Sequence, residues 1–287
     1  MMLFQITAFG IVVIYLLYWY FREDDPGLFF KKFITVSAAS WVVEETSIRL
    51  YHFYQYSPDW NLFIGHVPVL VILVWPLVIH SGWELASQFF TEYKLTHHLV
   101  AALIIWIDAS LIETISVKSG LWSWNGTGFF GVPFIGICGW AYFAFLSGFI
   151  LRLNRERKAG AGKIFLIIIF VVFGTHVLII GTWWLIFRYI LFPVNPAFTT
   201  ALAWTLSLLF IFTMHRKNVG VNVDSKVLLI RIPPALIFLT LYLKGSPDAF
   251  HTAYALAFSL SYLFFFYKIY RSEFEITHKS FKPTLPL

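Results

Sequence analysis

Long apolar runs alternate with short polar connections along the whole chain. A bilayer crossing needs about 17–25 residues at 1.5 Å per helical residue. Runs of that order fall near residues 3–21, 33–53, 63–89, 99–117 and 129–153, and again near 164–185, 197–215, 227–243 and 249–270. The sixth run is overlong, from Phe165 to Phe192, and predicts a tilted helix or an interfacial extension ended by Pro193 and Pro196. The eighth is the weakest, because Arg231, Pro233 and Pro234 interrupt it. The pattern predicts an all-α polytopic membrane helical bundle of 8–9 spans, with residues 1–287 forming a single integral membrane domain.

Composition narrows the class. Charged residues make up only 13% of the chain, against roughly 25% in soluble domains, which excludes a water-soluble globule. With 59% hydrophobic residues the chain is not disordered either. Cys138 has no partner, so no disulfide scaffold exists. The net charge of +6 has a topological reading rather than a nucleic-acid one. With nine spans numbered in order, 17 of the 21 lysines and arginines fall in loops on one side, among them Arg22, Lys31, Lys32, Lys94, Arg152, Arg155, Arg157, Lys158, Lys217, Arg231 and Lys282. The other side holds only Arg49, Lys118, Arg188 and Lys244. Positive-inside sorting then places the C-terminus in the cytoplasm and the N-terminus outside, in the plasma membrane if the source is a prokaryote. The first run lacks a basic n-region and a cleavage site, so it reads as a retained helix. The 154–163 loop and the tail after Arg271 read as solvated connections.

A duplicated pattern carries the candidate chemistry. Residues 41–75 contain Glu45-Thr46, Tyr54-Gln55-Tyr56, Gly65-His66-Val67-Pro68 and Trp75. Residues 108–140 contain Glu113-Thr114, Trp122-Ser123-Trp124, Gly131-Val132-Pro133 and Trp140. Aligned this way, each glutamate precedes its two aromatics by 9 and 11 residues, and each proline precedes its tryptophan by 7. Spans 2–3 and 4–5 are therefore read as a parallel repeat of helix hairpins, related by an axis along the membrane normal.

Carboxylates inside a bilayer are costly, about 2.5–3.5 kcal/mol for Asp at a helix centre. Glu44, Glu45, Glu84, Asp108 and Glu113 all lie within or near spans. Desolvation and a second carboxyl nearby both favour the neutral acid, so a facing Glu45–Glu113 pair is expected to hold a proton and serve as a general acid. Either glutamate can instead be only a helix-to-helix hydrogen-bond donor. Asp108 is a candidate catalytic partner or a structural one, being about 140° round the helix from Glu113. Glu44 points about 100° from Glu45, matches nothing in the second copy and reads as a structural or rim residue. His80 and Glu84, four apart, read as a local pair. No cluster has metal-ligand spacing, and no metal or cofactor is predicted. Tyr54, Tyr56, Trp75, Trp122, Trp124 and Trp140 are candidate substrate-binding residues whose ring faces can stabilise a cation. Interfacial tryptophans and tyrosines also gather at span ends without any site. Asn125-Gly126-Thr127 is a sequon, weak as evidence of modification.

These residues carry a resemblance. Gly120-Leu121-Trp122-Ser123-Trp124, Gly131-Val132-Pro133 and Gly139-Trp140 resemble the signature of the membrane carotenoid hydratases, the bisanhydrobacterioruberin and γ-carotene hydratase type of carotenoid biosynthesis protein. The stretch from Glu45 to Trp75 resembles that family's earlier motif. The arrangement is more distantly similar to heterodimeric lycopene cyclases and membrane terpene cyclases. Gly136 stands where the family usually has Asn, Glu113-Thr114 where it has Asp-Pro, and Ile48-Arg49-Leu50-Tyr51 where it has a glycine-rich turn.

The resemblance implies water addition to a terminal alkene of an acyclic carotenoid or other lipophilic isoprenoid. One glutamate would protonate the alkene, and the aromatics would hold the tertiary cation. Thr46, Thr114, Ser116, Ser119 and Ser123 are candidates to position water. With water excluded, the same site would be a cyclase. A non-catalytic transporter or carotenoid-binding protein is the reading from another class.

Overall fold

The computed structural model describes residues 1–88, 95–153, 161–216, 224–245 and 248–280. Lys94, Arg155, Arg157, Lys158, Lys217, Lys282 and the 154–160 connection, all used in the sequence reading, lie outside the described residues.

The described chain is helical but for two small sheets. Its elements are α1 (Met2–Arg22), α2 (Pro26–Arg49), β1 (Tyr54–Tyr56), β2 (Phe63–Ile64), β3 (Val67–Pro68), α3 (Val69–Ser87) and α4 (Leu95–Lys118). They continue with β4 (Trp122–Trp124), α5 (Phe134–Leu153), α6 (Ala161–Leu185), α7 (Pro196–Arg216), α8 (Ser225–Leu229), α9 (Ile232–Lys244) and α10 (Ala249–Ser280). Among the described residues, eight helices are long and apolar enough to cross a membrane, so the chain is an all-α integral membrane bundle. α2 falls outside those eight: Lys31, Lys32, Glu44, Glu45 and Arg49 lower its apolar character. It is nevertheless 24 residues long and packs against α3, α5 and α6.

Local sequence explains the element ends. The Asp25 carboxylate caps α2 by accepting from the Leu28 N–H at 3.0 Å, with Pro26 in the first turn. The overlong sixth run resolves into α6 and a 3₁₀ turn over Phe187–Tyr189, ended ahead of Pro193. The weak eighth run breaks into α8 and α9 around Arg231, with proline in the first turn of α9.

Sequence patterning sets no boundary within the chain, whereas the helices group into two compact units. One comprises Met1–Val194 with Arg231–Ser246, and the other Asn195–Ile230 with Pro247–Leu287. In the first, Val36, Ala39 and Val43 of α2 pack with Trp75, Ile79 and Trp83 of α3, Ile105 of α4, Phe143 of α5 and Val171 of α6. In the second, α7 and α10 meet through side-chain hydrogen bonds, the Ser207 hydroxyl donating to the Ala257 carbonyl at 2.6 Å and the Trp204 indole to the Ala253 carbonyl at 2.9 Å. Both hairpins of the repeat belong to the first unit.

Candidate functional site

The two copies meet as a sheet that the sequence reading does not anticipate. β1 and β4 pair antiparallel, Tyr54 opposite Trp124, Gln55 opposite Ser123 and Tyr56 opposite Trp122. In the repeat, Tyr54 corresponds to Trp122 and Tyr56 to Trp124. Each ring therefore faces the counterpart of the other aromatic in its own strand, and the central pair, Gln55 and Ser123, face each other. That register is what a local two-fold axis through the Gln55–Ser123 pair produces, as in a symmetric dimer interface. Side chains alternate across the strand: Gln55 and Ser123 point outward and are exposed, while the four rings turn inward.

Beneath this ladder lie two glutamates, and the first is Glu44 rather than Glu45. The Tyr54 and Tyr56 hydroxyls donate to Glu44 Oε2, the latter at 2.7 Å, and the Trp75 indole donates to Oε1 at 2.9 Å. In the second copy, the Trp122 and Trp124 indoles donate to Glu113 Oε2 at 2.9 and 3.0 Å, and the Trp140 indole to Oε1 at 2.7 Å. Both carboxyl groups thus receive two donors from their strand on one oxygen and one from the following helix on the other. Glu44 and Glu113 are both buried. Such a bond contributes about 1.5–3 kcal/mol where the carboxyl group is ionised, and about 0.5–1.5 kcal/mol where it carries its proton.

Ring contacts tie the two halves together. Trp75 and Trp140 lie 4.3 Å apart between centroids, Tyr54 and Trp124 4.7 Å, and Tyr56 and Trp122 5.8 Å. The Tyr54 and Tyr56 phenols are pushed well above the ordinary tyrosine range, first by burial and then by the Glu44 carboxylate, with Glu113 acting on both as well. They remain protonated donors, and both carboxylates act on the same two hydroxyls.

The predicted Glu45–Glu113 pairing is therefore corrected. Glu45 accepts from the His66 backbone N–H at 2.7 Å, lies 2.9 Å from the His66 ring Nδ1, and sits 3.8 Å from Arg49. It pins the 65–66 turn to the end of α2. A Cβ at Gly65, whose φ is +65°, would meet the Glu45 carboxyl at 2.6–2.7 Å. Helix ends explain the one-residue error. Glu44 and Glu113 each lie five residues before the last residue of α2 or α4, but four residues link α2 to β1 and only three link α4 to β4. Counting back from the aromatics absorbs the extra residue; counting back from the helix ends does not.

Asp108 lies apart from the glutamate centre. It forms an ion pair with Arg231, whose guanidinium also donates to the Ser81 hydroxyl at 3.3 Å. Arg231 is thus an interior charge that ties α9 to α3 and α4, not the loop charge that the orientation count makes it. His80 and Glu84 do pair locally, at 3.8 Å, while Tyr15 bonds His80 Nδ1 at 2.9 Å.

Of the hydroxyls expected to position water, Thr114 bonds the Leu111 carbonyl in its own helix, Ser119 bonds the Leu241 carbonyl of α9, and Ser123 is exposed outside the ladder. The Ser116 hydroxyl is buried and has no hydrogen-bond partner among the described residues. It lies three residues after Glu113, on the same helix face. Gly136 also gains a reason: a Cβ there would meet the Trp124 ring at 2.6–3.1 Å, so the larger asparagine of the resembled family does not fit beside this indole. Among the described residues no group of His, Cys, Asp and Glu could hold a metal ion. Asn125 and Thr127 of the sequon both bond backbone carbonyls, those of His52 and Leu191.

No family model matches the chain, and neither a curated protein nor a solved structure matches it.

Proposed function

We infer that the protein is a membrane enzyme of isoprenoid or carotenoid biosynthesis, which adds water to a terminal alkene of an acyclic carotenoid through acid-initiated carbocation chemistry. The observation that carries this reading is the matched pair of buried carboxyl groups, each bonded by three aromatic side chains and joined across paired strands. General acid chemistry on an apolar substrate needs a carboxyl group out of bulk water, and a cation formed beside it gains from both the carboxylate and the aromatic rings. Glu44 and Glu113 are the candidate catalytic groups. Tyr56, Trp122, Trp124 and Trp140, all partly exposed, form the face open to a lipophilic substrate. Ser116 is the candidate to orient water. The chemistry is redox-neutral, and lipid surrounds the bundle as its solvent. The loop charges favour a cytoplasmic C-terminus and an outer N-terminus, in the plasma membrane of a prokaryotic cell.

One observation favours a cyclase on the same centre: Thr114 and Ser119 spend their hydroxyls on backbone carbonyls, which leaves few groups to hold water. The saturation of both carboxyl groups by six aromatic donors also suits a non-catalytic carotenoid-binding or transport protein. Expression in cells that accumulate lycopene or a linear C50 carotenoid, followed by mass analysis of the pigments, separates the three. A product heavier by one water is expected. An isomer of unchanged mass identifies a cyclase, and unchanged pigments across several acyclic substrates contradict the enzymatic reading.

A further inference from the structure

The two carboxyl groups share a geometry but not a donor set. Glu44 receives two phenols and one indole, whereas Glu113 receives three indoles. An indole N–H only donates; a phenol hydroxyl donates and accepts. A hydrogen on Glu44 can therefore be handed to a phenol oxygen once that phenol's own hydrogen rotates away. Tyr54 and Tyr56 are neighbours, with ring centroids 5.7 Å apart. Both hydroxyls meet at Glu44 Oε2, and Tyr56 is the more exposed of the two residues. A hydrogen on Glu113 meets the Trp122, Trp124 and Trp140 indoles, and none of these three can accept it.

Resting on the reading of this centre as an acid-initiated enzyme, we propose that Glu44 holds the exchangeable proton and Tyr54 and Tyr56 relay it, while Glu113 stays a fixed anion beside the cationic carbon. In the first step the Glu44 O–H bond breaks, and the alkene π pair forms a new C–H bond at the less substituted carbon, leaving a tertiary cation. In the second, a water oxygen bonds to that cation, and the proton it then loses returns through Tyr56 to the Glu44 carboxylate. The sum is alkene plus water to tertiary alcohol, with no electron acceptor. Tyr54 and Tyr56 act through Glu44 and are relay residues, not catalytic ones.

Infrared spectroscopy of the full chain in lipid vesicles, without substrate, tests this assignment separately from any turnover assay. At neutral pH the wild type is expected to show the C=O stretch of a protonated carboxyl group, which Glu44→Gln removes and Glu113→Gln leaves in place. Tyr54→Phe and Tyr56→Phe should each shift the frequency of that band, because each deletes a donor to the same carboxyl oxygen, while Trp122→Phe should not. The two tyrosine variants carry the test if Glu44→Gln fails to insert. A band that survives Glu44→Gln, vanishes in Glu113→Gln, or ignores both tyrosine changes overturns the proposal. The pigment assay can fail while this pattern holds, so the two readings fall independently.

Discussion

In the first hairpin a buried carboxyl group is bound by two phenols and an indole; in the second, the same position is bound by three indoles. The backbone frame around them is shared. α3 and α5 each begin at the residue after a proline, and each carries its tryptophan seven residues beyond that proline. What differs is the volume and chemistry hung on the frame. Trp124 is larger than its counterpart Tyr56, and the residue three beyond the proline is Gly136 in the second copy but Val71 in the first. The missing Cβ at Gly136 makes room for the larger Trp124 ring, so the fold persists while the donor set changes. Five residues before each glutamate stand Ala39, fully buried in the core, and Asp108, paired with Arg231. The second copy thus reaches out to α9 through a charge. Duplication thus supplies a symmetric frame, and substitutions within it make one half able to pass a proton and the other able to hold charge.

The comparison can be broken at several points. The largest expected effect is on turnover: Glu44→Gln and Glu113→Gln should each lower it by about 10²–10⁴-fold, the usual size of a general acid–base contribution. Glu45→Gln should stay near wild type, since Glu45 serves only the His66 turn. Pigment yield per unit of inserted protein measures all three. Next in size, Asp108→Asn strands the Arg231 charge in the interior and should destabilise the first unit by about 3–5 kcal/mol, read as thermal unfolding in detergent. An equal loss of activity without loss of stability would instead return Asp108 to the catalytic set. Smaller still, Gly136→Ala forces the Trp124 ring aside and should cost about 1–3 kcal/mol. Val71→Ala, at the equivalent position of the first copy, should cost less. Equal costs would deny that the two positions compensate ring volume.

Much of this was legible in the sequence, and the limits have physical causes. Nine apolar runs, the overlong sixth and the broken eighth all reappear as helices with the expected interruptions, because span length and proline placement are local properties. All six ring residues of the repeat also converge on the two carboxyl groups as a set. Spacing along the chain pairs Glu113 with Glu45 rather than Glu44, since it does not reveal where a link between helix and strand gains a residue. The β1–β4 pairing is a contact between segments 68 residues apart in sequence, and neither three-residue strand has a period of its own long enough to read. Arg231 reads as a loop charge in the sequence, which shows the break in a span but not the carboxylate across from it.

The local two-fold register sets Glu44 and Glu113 beneath one ladder, and cross-linking across β1 and β4 reads it out. Directly opposed residues in an antiparallel pair have Cα atoms about 4.5–5.5 Å apart, within disulfide reach, whereas a two-residue offset places them about 7–8 Å apart, beyond it. In a Cys138→Ser background, the pair Gln55→Cys with Ser123→Cys should oxidise to a disulfide in detergent-solubilised protein, and Gln55→Cys with Asn125→Cys should remain free. The opposite result, a bond to position 125 and none to 123, would contradict the register and with it the equivalence of the two glutamates.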